Sequence, residues 1–593
     1  MAAIKLPIFA GMVPSVDKHL LADPNAAYSD NTWLYSGALD GMPVKKLLHT
    51  LANPNATVAF RVPLPGNDPS YLYTGDWVEF ENSSTDFIHA PVAADSFDRY
   101  YWTSTSSAPM YNTAARIRLG QPGWILGIPQ AGTLNVTASG GVSATLVSRA
   151  YVATLVSEYG EEGPSSDPFL ITGKLDDTFD VTLPAVDPSY LGVTRNIKKI
   201  RLYRTIVSGN GTTTYYLVTE VNALVTTQHY FDTMTDAALS SQPLLESTAW
   251  TEPPDLDGFI VMPNGIVAGY IDNELWFSEP YRPHAWPAAY SLTLEFQIVG
   301  LGVINQTLVV CTEGNPVTAS GVNPANITTS KLALFEPCLS KGSIVSTEEG
   351  VYYTSPNGLV LVNAGVAQNI TKQYISKDQW TSIVNEGKVN AGRLGSAYYA
   401  FATGVQKFVQ ENAFQLDAFQ TEQAVGSAEG FMIDPTNNNV GFTYAKDSTD
   451  IKSVRNDNLS GEVLVVKDGA VQWLDLRPGY EIEPYKWQSK VFQTPALQNF
   501  AAYKTYIYDN PNFVFPNPQN FDINQEFDPD TQLAVVRIYA DGKLVSAQEL
   551  RKSGELHRLP TGFKAAFWQI EFEAKVKIKS FQMATSVKEL ASV

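Results

Sequence analysis

The sequence predicts an all-β protein assembled from many short antiparallel sheets. Three observations carry that expectation. Strand-forming aromatic and β-branched residues come in short runs, with 29 Tyr and 28 Phe among 593 residues. Gly, Asn, Asp and Pro break these runs about every ten residues, the spacing of sandwiches, barrels and propellers. Helical periodicity is scarce.

The elements follow in chain order. Residues 1–60 are irregular and rich in proline. "TGDWVEF" (74–80) and "DRYYWTSTSSAPMY" (98–111) read as strands joined by loops, and "GWILGIPQAGTLNV" (123–136) closes a β-rich segment over 61–146. In "SRAYVATLVSEYGEEGPSSDP" (148–168), two interleaved apolar sets give a strand covered on both faces. Gly160, Gly163 and Pro164 then turn the chain out of the sheet. "IKKIRLYRTIVSGNGTTTYYLVTEV" (197–221) is a hairpin around Ser208, Gly209, Asn210 and Gly211. Residues 147–255 therefore predict one β-sandwich module of the fibronectin type III sort.

From 256 to 480, hairpins such as "GIVAGYIDNELWFSE", "GSIVSTEEGVYYTSPNGLVLVNAG" and "GEVLVVKDGAVQWLD" recur without close repetition. Their spacing of roughly 30 to 45 residues predicts degenerate β-propeller blades. Residues 481–593 alternate throughout, with a sharp turn at Asp541-Gly542, and read as a second sandwich. The one strong helix signal is "ISKDQWTSIVNE" (375–386). There Ser376 and Gln379 form a capping box, and Ile375 staples onto Trp380 above Ile383 and Val384.

Composition restricts function. The formal charge is −19, and no run of basic residues exceeds two. Gripping nucleic acid through its phosphates needs clustered Lys and Arg, so this is not a nucleic-acid-wrapping protein. Cys311 and Cys338 are too few for a disulfide framework. Pro7 and Pro14 interrupt the N-terminal apolar stretch, so no signal peptide is expected, and no window reaches the ~20 apolar residues of a membrane span. The sequons, Asn55, Asn135 and Asn369 among them, then read as by-products of Ser, Thr and Asn content in a protein folded in a reducing cytoplasm.

The search for chemistry returns no catalytic, cofactor-binding or metal-ligating set. His19, His49, His89, His229, His284 and His557 are dispersed, without metal spacing. "PDLDG" (254–258) lacks the later ligands of a calcium loop, and "GLGVINQ" (300–306) lacks the Lys of a phosphate-binding loop. No Gly-x-Ser-x-Gly elbow occurs, and Cys311 sits on an apolar strand as an inert thiol. Asp272, Glu274, Glu279, Glu348 and Glu349 supply carboxylates on hairpin turns, where solvated edge positions are the ordinary state. Tyr100, Tyr101 and Trp102, like Tyr352 and Tyr353, read as packing aromatics. "PYRPHAW" (280–286) reads as a stiff spacer in which Tyr281 and Trp286 plug the gap beside a blade.

Laid end to end, a series of segments is familiar. They are "DPNAAYSDNTWLYSGALDGMP" (23–43), "DRYYWTSTSSAPMY", "GWILGIP" (123–129), "YVATLVSEYGEEGPSS" (151–166), "IKKIRLYRT" (197–205), "NELWFSEPYRPHAWP" (273–287), "KWQSKVFQTP" (486–495), and "RLPTGFKAAFWQIEFEA" (558–574) leading into "ATSVKEL" (584–590). In this order the chain resembles the nozzle, or tail tubular protein B-like, proteins of short-tailed bacteriophages. The resemblance implies a propeller-like domain on a platform, with N- and C-terminal segments forming the platform. It implies a homo-hexameric ring at the distal tail, below the adaptor ring, with a rim that receives tail fibres or a tip protein. Genomic DNA passes through the bore without specific binding. The family has no catalytic residues to carry over, and an inserted fibronectin-like module is not universal in it. The N-terminal segment and the C-terminal sandwich are expected to pack together and form much of the ring interface.

Two other readings compete. One is a carbohydrate-active, sialidase-like propeller, although the Ser-x-Asp-x-Gly-x-Thr-Trp box is missing. The other is a receptor-binding adhesin built of sandwich modules.

Overall fold

The computed structural model describes residues 3–64, 75–105, 107–206, 214–363, 365–384, 388–403, 428–435, 441–508, 528 and 532–591. The turn expected at 208–211 and the last residues of the helix expected over 375–386 lie outside them. The chain is nearly all-β, and it divides into two compact units: residues 1–83 together with 333–593, and residues 84–332. The division is discontinuous, so the expected segment 256–480 is split at 332.

The recurring element in both units is a four-stranded antiparallel meander, the blade of a propeller. Among its described residues the unit 84–332 has three. Their strands are Asp86–His89, Arg99–Thr103, Met110–Thr113 and Trp124–Ile125; then Gly258–Val261, Val267–Ile271, Glu274–Phe277 and Leu292–Thr293; then Ile298–Ile304, Thr307–Thr312, Val317–Ser320 and Thr328–Lys331. Tight corners join neighbours: Asp272 and Asn305 take left-handed φ of 50° and 52°, as two-residue hairpins require. One apolar cluster, including Ile266, Phe277, Leu308 and Val310, spans the last two meanders.

Between the first and second meanders lies the sandwich. Strands Asn135–Ser139, Thr178–Leu183 and Gln228–Asp232 form one sheet; Phe169–Lys174, Leu146–Ser157, Ile197–Thr205 and Tyr215–Asn222 form the other. The first two of these strands in chain order fall in different sheets, whereas the immunoglobulin-type division places them in one. Tyr151, Leu155, Phe179, Val181, Ile200 and Leu202 fill the space between the sheets. The long strand Leu146–Ser157 is buried from Arg149 to its end, as its doubled apolar pattern requires. At one end of this core, Arg204 is fully buried and its Nε donates to Asp232 at 2.7 Å, while the Tyr151 hydroxyl donates to the same carboxylate at 2.8 Å.

Among its described residues the other unit also has three meanders. Strands Val345–Ser346, Val351–Ser355, Gly358–Asn363 and Val366–Asn369 form one. Lys388–Leu394, Ala397–Thr403, Ala428–Ile433 and Phe442–Asp447 form a second, which continues through Ala26–Asp30 into Tyr485–Ser489, Ala565–Ala574, Ala534–Ala540 and Lys543–Glu549. In the third, Ile451–Asn456, Val463–Lys467 and Ala470–Leu474 take their fourth strand, Lys45–Thr50, from the start of the chain.

N- and C-terminal segments thus build the platform together. Ala3–Leu6 pairs with Ile578–Ala584, which pairs with Ala502–Ile507, and this sheet faces the extended one across a common core of Phe9, Trp487, Trp568, Phe572 and Phe581. The predicted corner at Asp541-Gly542 has φ of 47° and 77°.

The capping box is present as read from the sequence. Ser376 N–H donates to Gln379 Oε1 at 3.1 Å, and Gln379 N–H returns a bond to Ser376 Oγ at 3.3 Å. The helix Lys377–Val384 buries Trp380, Ile383 and Val384, and Ile375 shares their core. Among the described residues no helix is long and apolar enough to cross a membrane.

Candidate functional site

In the unit 84–332, distant segments converge on one sealed cluster of charges and rings. Strand Arg99–Thr103 supplies Arg99 and Tyr101, and strand Met110–Thr113 supplies Tyr111. The turn after the long sandwich strand supplies Ser157, Tyr159 and Glu161; the segment 280–287 supplies His284 and Trp286. Backbone bonds run that turn back along its own strand, with Gly163 N–H on Leu155 O and Ser166 N–H on Ala153 O. Gly163 must lack a side chain, because a Cβ there would lie 2.6 Å from Ile128.

The adjacent acids of "GEEGP" look in different directions. Glu161 accepts from Arg99 Nη1 at 2.5 Å and from Ser157 Oγ at 3.1 Å. Glu162 accepts from Thr154 Oγ1 at 2.6 Å, Tyr203 OH at 2.8 Å and Arg201 Nη1 at 2.7 Å, gripping the outer face of the sandwich. Arg99 is held on its other edge by Asp95, through Nε at 2.8 Å and Nη2 at 3.1 Å.

Burial disfavours the charged guanidinium of Arg99, yet Tyr101, Glu161 and Asp95 outweigh it and hold the proton more firmly than usual. Burial likewise opposes the Asp95 charge, but its bonds to Arg99 bring the carboxyl below the ordinary range. His284 is pushed the other way. Its burial lowers the imidazole, Glu161 at 3.7 Å opposes the shift, and Arg99 and Arg282 add to it. Tyr101 and Tyr111 are raised by burial.

Aromatic contacts seal the cluster. Tyr111 lies 5.8 Å from Trp124, Phe97 4.5 Å from Tyr159, and Trp286 is fully buried with its indole N–H on Pro283 O at 2.7 Å. The Arg99–Glu161 pair is buried beside these rings. What it can do is clamp the sandwich to the meander sheets beside it.

The structure places the other residues singled out from the sequence as follows. Trp286 fills a core, as read; Tyr281 does not. It is 54% exposed with φ of 61°, because its ring lies outward over Gly265. Tyr100, Tyr101, Tyr352 and Tyr353 are buried, and Cys311 is inside an apolar strand. Glu274 accepts from the Trp276 indole at 3.1 Å and Glu279 from Tyr290 OH at 2.9 Å, so both serve their own sheet. Asp272 is a hairpin corner, and Glu348 with Glu349 occupies the turn closed by Thr347 N–H on Gly350 O. The histidines are local: His49 stacks on Trp77 and meets Glu79 at 2.9 Å, His89 meets Asp98, His229 meets Asp180, His19 meets Asp17, and His557 stacks on Tyr503. Among the described residues no three His, Cys, Asp or Glu side chains are grouped to hold a metal.

Sequence reading missed Asp95, Arg99 and Glu161. Two neighbouring acids between glycines were the available signal, since such a turn presents them to opposite sides.

No family model matches the chain, and no curated protein does. Among solved structures it is similar to the extracellular domain of a one component system of B. thetaiotaomicron, at 12% identity and a TM-score of 0.25 over 51% of this chain. The chain spans 41% of that protein's length. It is also similar to BBS1N, solved in complex with ARL6DN, at 8% identity and a TM-score of 0.25, over 73% of this chain and 98% of that one.

Proposed function

We propose that the chain is a structural virion protein: one subunit of the ring-shaped tail nozzle of a short-tailed phage, without catalytic activity. The observation that carries this reading is where the segments of the resemblance sit. "DRYYWTSTSSAPMY", "GWILGIP", "YVATLVSEYGEEGPSS" and "NELWFSEPYRPHAWP" all contribute to the clamp around Arg99 and Glu161. "KWQSKVFQTP" and "RLPTGFKAAFWQIEFEA" supply Trp487, Trp568 and Phe572 to the platform core. These segments thus lie at joints and in core packing, which supports a mechanical role.

In this role the chain forms a homo-hexamer below the adaptor ring and carries tail fibres or a tip protein on its rim. The inserted sandwich serves fibre docking or decoration of that rim. DNA crosses the bore without being held: a wall of like charge forms no phosphate contacts and releases no counterions. At ~0.15 M salt the Debye length is ~8 Å, so only acids next to the bore act, and the charge of −19 per subunit is ample to line one. Assembly takes place in the bacterial host cytoplasm and the final location is the phage tail.

Electron microscopy of the purified full-length chain tests the reading. A six-fold ring with a bore wide enough for duplex DNA is the expected result. A monomer, a trimer, or a bore lined by Lys and Arg overturns it.

A further inference from the structure

In the unit formed by residues 1–83 and 333–593, the partly buried Arg455 turns inward a hydrogen-bonding edge with nothing to hold. Arg455 stands on strand Ile451–Asn456, directly across from Leu464, and its guanidinium lies 3.7 Å from the centre of the Phe60 ring. That stacking satisfies the face of the group and leaves its edge. Nε and Nη2 are shut off from solvent and have no hydrogen-bond partner among the described residues. Their two N–H bonds point the same way along one side of the guanidinium plane. That fork matches two oxygens of a carboxylate or a phosphate.

Neighbouring charge does not fill the fork. Asp457 is the carboxylate that acts on Arg455, and it is already engaged. It takes Arg61 Nη2 at 2.7 Å, Ser460 N–H at 2.9 Å and Ser460 Oγ at 2.8 Å. The carboxylate of Asp457 is thus already occupied, in a chain that otherwise carries a large excess of acids. Burial drives Arg455 down to about 9, against a weaker opposing pull from Asp457. Two N–H donors shut away from water without an acceptor are a costly arrangement.

We propose that the Nε and Nη2 edge of Arg455 is a binding site for an oxyanion with two acceptor oxygens, phosphate or carboxylate, seated beside Phe60 with the Arg61–Asp457 pair next to it. Phosphate and carboxylate present the same pair of oxygens to the fork. The site is separate from the clamp around Arg99 and does not depend on the nozzle reading.

The test is the apparent unfolding midpoint of the full-length chain in inorganic phosphate, in acetate, and in chloride at matched ionic strength. Arg455→Met keeps a stem over Phe60 without charge or donors, and Arg455→Lys keeps the charge without the fork. Phosphate or acetate should raise the unsubstituted protein by about 2 °C or more over chloride. Arg455→Met should lose that increment and, in chloride, melt no lower than the parent, since two N–H donors without an acceptor have gone. Arg455→Lys should keep less than half of the increment, and it carries the test alone if Arg455→Met does not fold. A response to phosphate only, or to acetate only, identifies the anion class. An equal increment in the variants, or no response of the parent to either anion, overturns the proposal. Ring formation read by microscopy is a separate outcome, so failure here leaves the nozzle reading where it stood.

Discussion

The indole N–H of Trp487 donates to the carbonyl of Ala10 at 3.0 Å, joining residues 477 positions apart. The same ring meets Phe9 edge-on at 5.1 Å, and Phe9 is fully buried. The N-terminal segment is therefore a plug in the platform core of its own subunit. Trp487→Ala should cost about 3–5 kcal/mol through the cavity and the orphaned carbonyl. Faster hydrogen exchange across residues 565–574 would report it; unchanged exchange would contradict the plug. Removing residues 1–45 should abolish folding of this unit, because it also takes away strand Ala26–Asp30 from the middle of its sheet.

Glu161→Gln keeps the shape of the clamp and removes one of the two carboxylates on Arg99. Breaking a buried ion pair of this kind costs about 3 kcal/mol. A double-mutant cycle with Arg99→Met should return a coupling of at least about 1 kcal/mol between the two sites. Strict additivity would show that they act independently.

His284 makes the clamp sensitive to mild acid. Its imidazole is lowered in the folded protein, while the unfolded chain titrates near 6.5. Below that pH the unfolded state binds a proton that the folded state refuses, so stability present above about 6.5 falls as pH drops toward the folded value. The slope approaches about 1.4 kcal/mol per pH unit. His284→Gln should flatten it, read as exchange of residues 157–166 at pH 7.5 and 5.5 (about one unit either side of the unfolded titration). An equal pH response in the variant would assign the effect elsewhere.

Asp447 locks the strand Lys45–Thr50. Lys45 Nζ reaches Asp447 at 3.1 Å and Glu483 at 2.8 Å, and Lys467 Nζ reaches Asp447 at 2.6 Å. Burial raises the Asp447 carboxyl, but Lys45 and Lys467 pull it below its usual range. The stabilisation is present above the unfolded value near 4 and is lost as pH falls through the lower folded value. Asp447→Asn should reproduce the acid effect at neutral pH, with faster exchange over residues 45–50 and 470–474.

Ser376→Ala removes one half of the capping box and should cost about 1 kcal/mol locally. The amide of Gln379 should then exchange several-fold faster, with the core around Trp380 unchanged.

How much of this was legible in the sequence depends on range. The box at Ser376 and Gln379, the corner at Asp541-Gly542 and the doubly covered strand around Tyr151 are local patterns, written in adjacent residues. Strand partners are not. Lys45–Thr50 completes a sheet whose other strands begin some 400 positions later, and Ala26–Asp30 joins a blade to the platform. Neither can be read from period-two alternation, which names the buried face and not the neighbour. The Arg99 clamp was hidden for the same reason: Asp95, Glu161 and His284 look like ordinary polar loop residues until the fold stacks them. Tyr281 misled because an aromatic between prolines suggests packing, while a left-handed backbone turned it outward.

The pairing of Ala3–Leu6 with Ile578–Ala584 sets a timetable for synthesis. Strand Ala3–Leu6 is translated long before its hydrogen-bonding partner Ile578–Ala584. Residues 84–332 can collapse on their own while the head of the polypeptide waits with its edge bare. For most of translation, then, an unpaired apolar ribbon including Phe9 is exposed to misjoining with other nascent chains. Slow elongation between these two strands would lengthen that hazard, and holdase chaperones would shorten it.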